Sequence, residues 1–130
     1  MHEAAKSGEI VKVKRLVEAG NEVDQRDIAE RTPLSWAAEN DHTEVVVFLV
    51  SKGADVNTRD LTGIRPLGHA VLSGSQRVVE ILVAGGADVT AKDINGITLL
   101  DDATRLGYTG IAEILIAHGA TCGTNSHYSC

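Results

Sequence analysis

Ser35, His69 and Asp102 carry the side chains of a Ser-His-Asp hydrolase triad, so the first question is whether they can act together. His69 and Asp102 stand 33 residues apart, one period of the sequence. Helices packed side by side lie roughly 8 to 10 Å apart, close enough for an imidazole and a carboxylate on neighbouring helices to meet. A triad also needs an exposed nucleophile and preorganised donors for the developing oxyanion. Nothing in the sequence supplies either, and the simpler expectation is a buried or half-buried His69 bonded to a capping carboxylate. A second constellation, Cys122, His127 and Cys130, offers three metal-ligating side chains at intervals of five and three residues. Zinc sites usually draw on four ligands in closer pairs. The trio therefore reads as the side chains of a tail, with a metal site or a disulfide as the alternatives. Gly85-Gly86 is no phosphate loop and reads as the end of a helix. No catalytic residue, metal ligand or cofactor is assigned, and the chain is expected not to be an enzyme.

The elements that carry these residues follow from the totals and then from the periodicity. At 130 residues the chain is the size of one domain. Hydrophobic residues at 43% and charged residues at 23% give the balance of a soluble globular protein. No apolar run approaches the ~20 residues that a membrane helix needs. The segment Met1 to Lys6 lacks the basic-then-apolar order of a secretory signal, so a cytoplasmic location is expected. A formal charge of -6 argues against nucleic acid as the main partner, since such binding relies on cations that neutralise phosphates. Both cysteines lie beyond the last periodic apolar segment, so no disulfide framework supports the core, which must rest on packing.

A 33-residue period governs the whole chain. Gly20, Gly53, Gly86 and Gly119 keep it, as do Leu16, Leu49, Leu82 and Leu115, and Asp27, Asp60 and Asp93. Thr32-Pro33-Leu34, Arg65-Pro66-Leu67 and Thr98-Leu99-Leu100 recur in register, followed by Ala37, Ala70 and Ala103, with Ala4 matching them at the start. Within a unit, Pro33 and Pro66 suit the first turn of a helix, where the missing N–H is not needed, and Thr32 suits the cap before it. Gly74, Gly107 and, at the matching place, Asp41 interrupt the chain. A second helix follows, with Val45, Val46, Phe48 and Leu49 as its apolar residues, and it stops at Gly53 or its equivalents. The stretch 54–63 reads as an extended segment and a tight turn that leads into the next unit.

The period with its Thr-Pro-Leu and Gly-Ala-Asp-Val blocks resembles the ankyrin repeat, over Met1 to about Cys122. The resemblance implies an all-α solenoid of four helix-turn-helix units linked by β-hairpin turns. The domain is expected over 1–122, with repeats at about 1–26, 27–59, 60–92 and 93–122, and a mobile tail at 123–130. The family's usual His after Thr-Pro-Leu is replaced by Ser35, Gly68 and Asp101, which removes a bracing hydrogen bond and predicts softer hairpins. Trp36 occupies a place that in the family faces the interior, so core packing is expected of it rather than partner contact. In a solenoid, terminal units must be polar where interior units are apolar. Lys12 and Arg15 at one end, and Asp102, Thr104 and Ala112 at the other, fit a self-contained stack.

The resemblance also implies a function. Ankyrin proteins commonly bind other proteins through the hairpin tips and the first helix of each unit, the concave side. Carried onto this chain, the hairpin positions are Arg26, Ile28 and Arg31, then Arg59, Leu61 and Ile64, then Lys92, Ile94 and Ile97; the first helices add Leu72 and Arg105. A basic ladder, Arg26/Arg59/Lys92, runs beside an aliphatic one, Ile28/Leu61/Ile94, on an acidic protein. Such a surface suits an acidic and apolar face of another protein. The competing reading is that the aliphatics pack hairpin on hairpin while the cations pair with Asp27, Asp60 and Asp93. The expected role is an adaptor, scaffold or inhibitor acting as a monomer, with a regulatory module cut from a larger enzyme or channel as the alternative. The segment ending at Asn57 resembles the hairpin sites that an asparaginyl hydroxylase modifies in ankyrin proteins; an Asn that braces its turn is the other reading.

Overall fold

The computed structural model describes residues 1–93 and 95–123. Eight α-helices occupy the described residues: α1 (His2–Ser7), α2 (Ile10–Glu18), α3 (Pro33–Glu39), α4 (Thr43–Ser51), α5 (Pro66–Ser73), α6 (Gln76–Ala84), α7 (Leu99–Leu106) and α8 (Thr109–Ala117). They stack in two layers. The first helices of the pairs contact one another in the order α1, α3, α5, α7, and the second helices in the order α2, α4, α6, α8. The all-α repeat solenoid read from the sequence is therefore the observed architecture. The turns between pairs are hairpin-like but carry no strand among the described residues, only an isolated antiparallel bridge between Lys92 and Thr98.

Local chemistry places each boundary. Pro33 and Pro66 sit in the first turn of α3 and α5, and the Thr32 hydroxyl accepts a hydrogen bond from the Ser35 N–H. Thr98 does the same for α7, where Asp101 bonds back to the Thr98 N–H and completes a capping box. The break between the helices of a pair uses a left-handed residue. Gly8, Gly74 and Gly107 hold φ of 74°, 73° and 76°, but the second pair places Asp41 there at 59°, a conformation that a side chain disfavours.

The core lies between the two layers. Leu34, Leu67 and Leu100 from the first layer meet Leu49, Leu82 and Leu115 from the second, all at most 4% exposed. Each such side chain contributes about 2 kcal/mol of burial. Ala4, Ala37, Ala70 and Ala103 recur at full burial, and their small size lets the backbones approach. Leu16, the equivalent in the first pair, is only partly buried, and Lys12 and Arg15 on the same helix are exposed. At the other end Asp102, Thr104 and Ala112 are half-exposed, as their polar or small character suggests.

Candidate partner-binding surface

Three turns project beside the first-layer helices, and each is built on one aspartate. Asp27, Asp60 and Asp93 donate their N–H groups to the carbonyls of Arg31, Ile64 and Ile97 at 2.9 to 3.0 Å. The same residues accept through Oδ1: Asp27 from the N–H groups of Ala29 and Arg31, Asp60 from those of Thr62 and Ile64, and Asp93 from those of Asn95 and Ile97. These Asx-type bonds hold the turn without help from a strand. The last turn residue lies in the left-handed region at Gly63 and Gly96, but Glu30 takes that place in the first turn at φ 56°.

The second carboxylate oxygen separates the turns. Asp27 Oδ2 accepts from Trp36 Nε1 at 2.8 Å, and Asp60 Oδ2 lies 2.8 Å from His69 Nε2. Nine residues after Asp93 stands Asp102, another carboxylate, which turns to Arg105 at 3.2 Å. The expectation of soft, unbraced turns is thus corrected for the first two: the side chain one place after the missing His supplies the brace. Ser35 and Asp101 also remain engaged, Ser35 Oγ accepting from Arg31 Nε at 3.1 Å and Asp101 Oδ2 from the Gly123 N–H at 2.9 Å.

The carboxylates respond to these settings. Burial would raise Asp27 and Asp60, but hydrogen bonds outweigh it and hold both below the ordinary carboxylate value. For Asp27 they come from Trp36, Arg31 and Ala29, with His2 nearby; for Asp60 from Thr62, His69 and Ile64. Asp88 is lowered by its bonds from Thr90, against some burial, and by Arg65. Asp102 goes the other way, raised by burial that Arg105 only partly offsets and by the charges of Asp93 and Asp101.

The same geometry disposes of the triad. Ser35 is buried and bonded to Arg31, His69 to Asp60 and Asp102 to Arg105, so each is occupied apart from the other two. Among the described residues no group of three His, Cys, Asp or Glu side chains is placed to hold a metal. His127 and Cys130 lie outside the described residues, and Cys122 is disulfide-bonded rather than a free thiol. Asn57 braces: its Oδ1 accepts from the Asp88 N–H at 2.8 Å and its Nδ2 donates to the Gly86 carbonyl at 3.2 Å, tying consecutive units together.

On the ladders, Ile28 is 99% and Leu61 66% exposed, so neither packs hairpin on hairpin. The turns themselves are joined by the backbone, Leu61 N–H to the Ala29 carbonyl at 3.0 Å. Arg26, Arg59 and Lys92 are exposed, and the turn aspartates spend their oxygens on N–H groups and on Trp36 and His69, not on these cations. Arg26 reaches Glu30 at 3.6 Å and the Arg59 carbonyl at 3.5 Å. Ile64 and Ile97 are half-buried, Leu72 is 38% exposed, and Arg105 is exposed beside Asp102. Ile94 lies outside the described residues.

Arg31 departs from its assignment as a contact residue. It is buried, pairs with Glu39 at 2.7 Å, bonds Ser35 and stacks 3.7 Å from the centre of the Trp36 ring. Trp36 is in turn only half-buried, with Lys6 4.8 Å from the ring centre, so it belongs to a cation-lined seam rather than to the apolar core. The carboxylate expected beside His69 is that of Asp60, in the turn rather than at a cap, whereas the Asp27–Trp36 brace was not read from the sequence.

Paired helices in two layers, joined by aspartate-built turns, define a helical repeat protein. Residues 1–93 match the family described as ankyrin repeats (3 copies), and the chain belongs to the ankyrin-repeat family. The fourth helix pair lies beyond the matched residues but continues the stack, α7 on α5 and α8 on α6. Among curated proteins none matches the chain. Ankyrin repeats are in general protein–protein interaction modules and typically non-catalytic. No helix among the described residues is long and apolar enough to cross a membrane.

Proposed function

We propose that this chain is a monomeric, cytoplasmic interaction module, an adaptor, scaffold or inhibitor, that binds an acidic and apolar face of another protein on its concave, hairpin-bearing side. The observation that carries the reading is the exposure of Ile28 and Leu61 on turns whose backbone is tied down by Asp27 and Asp60. Large aliphatic groups held out to water on ordered backbone lose little conformational freedom on association, so their burial goes to affinity. Arg26, Arg59 and Lys92 beside them add long-range attraction for an acidic partner. Arg31 is assigned to the scaffold, and the remaining contact set is Arg26, Ile28, Arg59, Leu61, Ile64, Leu72, Lys92, Ile94, Ile97 and Arg105.

The test is retention of partner protein from the source cell by the wild-type chain and by the double variant Arg59→Glu plus Leu61→Asp, with folding checked by circular dichroism. Retention should fall at least tenfold, since one apolar anchor and one favourable charge are both reversed. Equal retention by a folded variant would remove the hairpins from the interface.

A further inference from the structure

We infer that the hollow between the second and third turns is a pocket for one branched aliphatic side chain carried on an acidic segment of the partner protein. The inference rests on the hairpin surface proposed above and specifies the chemistry of what docks there. The hollow measures about 260 Å³. Pockets for drug-sized molecules run about 300 to 1,000 Å³, so this one suits a single side chain better than a free ligand.

Its apolar wall is formed by Ile64, Leu72, Ile97 and Leu99, none of them fully buried. The space exists because Gly68 occupies the place where α3 and α7 carry Ser35 and Asp101. A Cβ at Gly68 would stand 2.8 Å from Ile64 Cγ2 and 3.7 Å from Leu99 Cδ2. Any side chain there would push Ile64 aside or fill the hollow, so the hollow depends on this glycine.

The rim selects charge. Its three carboxylates are engaged, Asp88 by Arg65 at 3.2 Å and by Thr90, Asp93 by the N–H groups of Asn95 and Ile97, and Asp102 by Arg105. Arg59 and Lys92 also line the hollow, are exposed, and make no ion pair among the described residues. Arg65 and Arg105 offset Asp88 and Asp102, so Arg59 and Lys92 stand against the charge of Asp93 alone and the mouth keeps one net positive charge. A leucine or isoleucine flanked by Asp or Glu satisfies both the wall and the rim.

The probe is a twelve-residue peptide with a central Leu flanked by Asp and Glu, titrated to millimolar concentration into the full chain and followed by amide chemical shifts. Shifts should concentrate at Ile64, Gly68, Leu72 and Ile97. Affinity should fall about tenfold or more when the peptide Leu becomes Ala, and likewise when its acids become Asn and Gln. The variant Leu72→Glu, at an exposed position that leaves the core untouched, should abolish the shifts. Absence of shifts at millimolar peptide, shifts of equal size across all helices, or an Ala peptide that binds as well would each overturn the pocket. A second double variant, Arg26→Glu with Ile28→Asp, lies on the first turn outside the hollow and separates the two readings. If it loses the partner protein while Leu72→Glu keeps it, the hairpin surface stands and the pocket falls. If Leu72→Glu loses both peptide and partner protein while Arg26→Glu with Ile28→Asp keeps both, the pocket stands and the first turn falls out of the broader surface.

Discussion

The second and third turns share backbone geometry and differ in one contact. Asp60 and Asp93 form the same Asx-type bonds, but Asp60 meets His69 at 2.8 Å whereas the residue nine places after Asp93 is Asp102. One turn is tied to the helix beneath it, and the other faces a like charge. The difference teaches that the turn in this protein is specified locally, by aspartate and backbone, while its attachment to the stack is specified separately, by the side chain nine residues on. The first turn shows the same division with Trp36 in place of His69.

Removing the aspartates should expose this division most strongly. Asp60→Ala leaves the buried His69 and two backbone N–H groups without their acceptor and should cost about 3 kcal/mol in urea unfolding. Asp27→Ala should cost about 2 kcal/mol, because the half-buried Trp36 has easier access to water, and Asp93→Ala about 1 kcal/mol, since only backbone bonds are lost. Equal losses at all three positions would erase the distinction between braced and unbraced turns.

A smaller effect concerns turn geometry alone. Glu30 holds φ 56° where Gly63 and Gly96 stand in the other turns, so Glu30→Gly should stabilise by about 1 kcal/mol, with Arg26 losing a contact of little value. A destabilised variant would show that Glu30 is kept for its charge.

The smallest effect is in pH. Asp27, Asp60 and Asp88 have folded pKa values below their unfolded ones, so their stabilisation is present above the unfolded value and is lost as pH falls through the folded one. Asp102 has the opposite sign: its folded pKa is raised, and its favourable contribution exists only below the unfolded value and disappears as pH rises through the folded value. Asp102→Asn should therefore be more stable than wild type at pH 7, and the gain should vanish in acid beneath the ordinary carboxylate range. A gain that persists unchanged into that range would show that the charge of Asp102 is not what opposes the third turn.

The fold was legible because a 33-residue period places glycine, leucine and alanine in register through all four units, and each local signal agrees with it. Pro33 and Pro66 begin helices, and Gly53, Gly86 and Gly119 end them in the left-handed region. The proposed surface was legible in part. Ile28 and Leu61 could be placed at turn tips from their register, whereas Arg31 could not be separated from Arg26 and Arg59, since charged residues are normally exposed and its burial depends on Glu39, Ser35 and Trp36 converging on it. The braces Asp27–Trp36 and Asp60–His69 join residues brought together only when the turn folds back on its helix. The hollow at Gly68 was invisible for a related reason: a missing side chain becomes a pocket only through what surrounds it.

Hydrogen exchange of the chain with and without its captured partner protein tests the central proposal most directly. Binding on the hairpin side predicts new protection on the turns at 26–31 and 59–64 and on α5 and α7, with α2, α4, α6 and α8 unchanged. Protection that falls on α2, α4, α6 and α8 and leaves the turns as they were would contradict it.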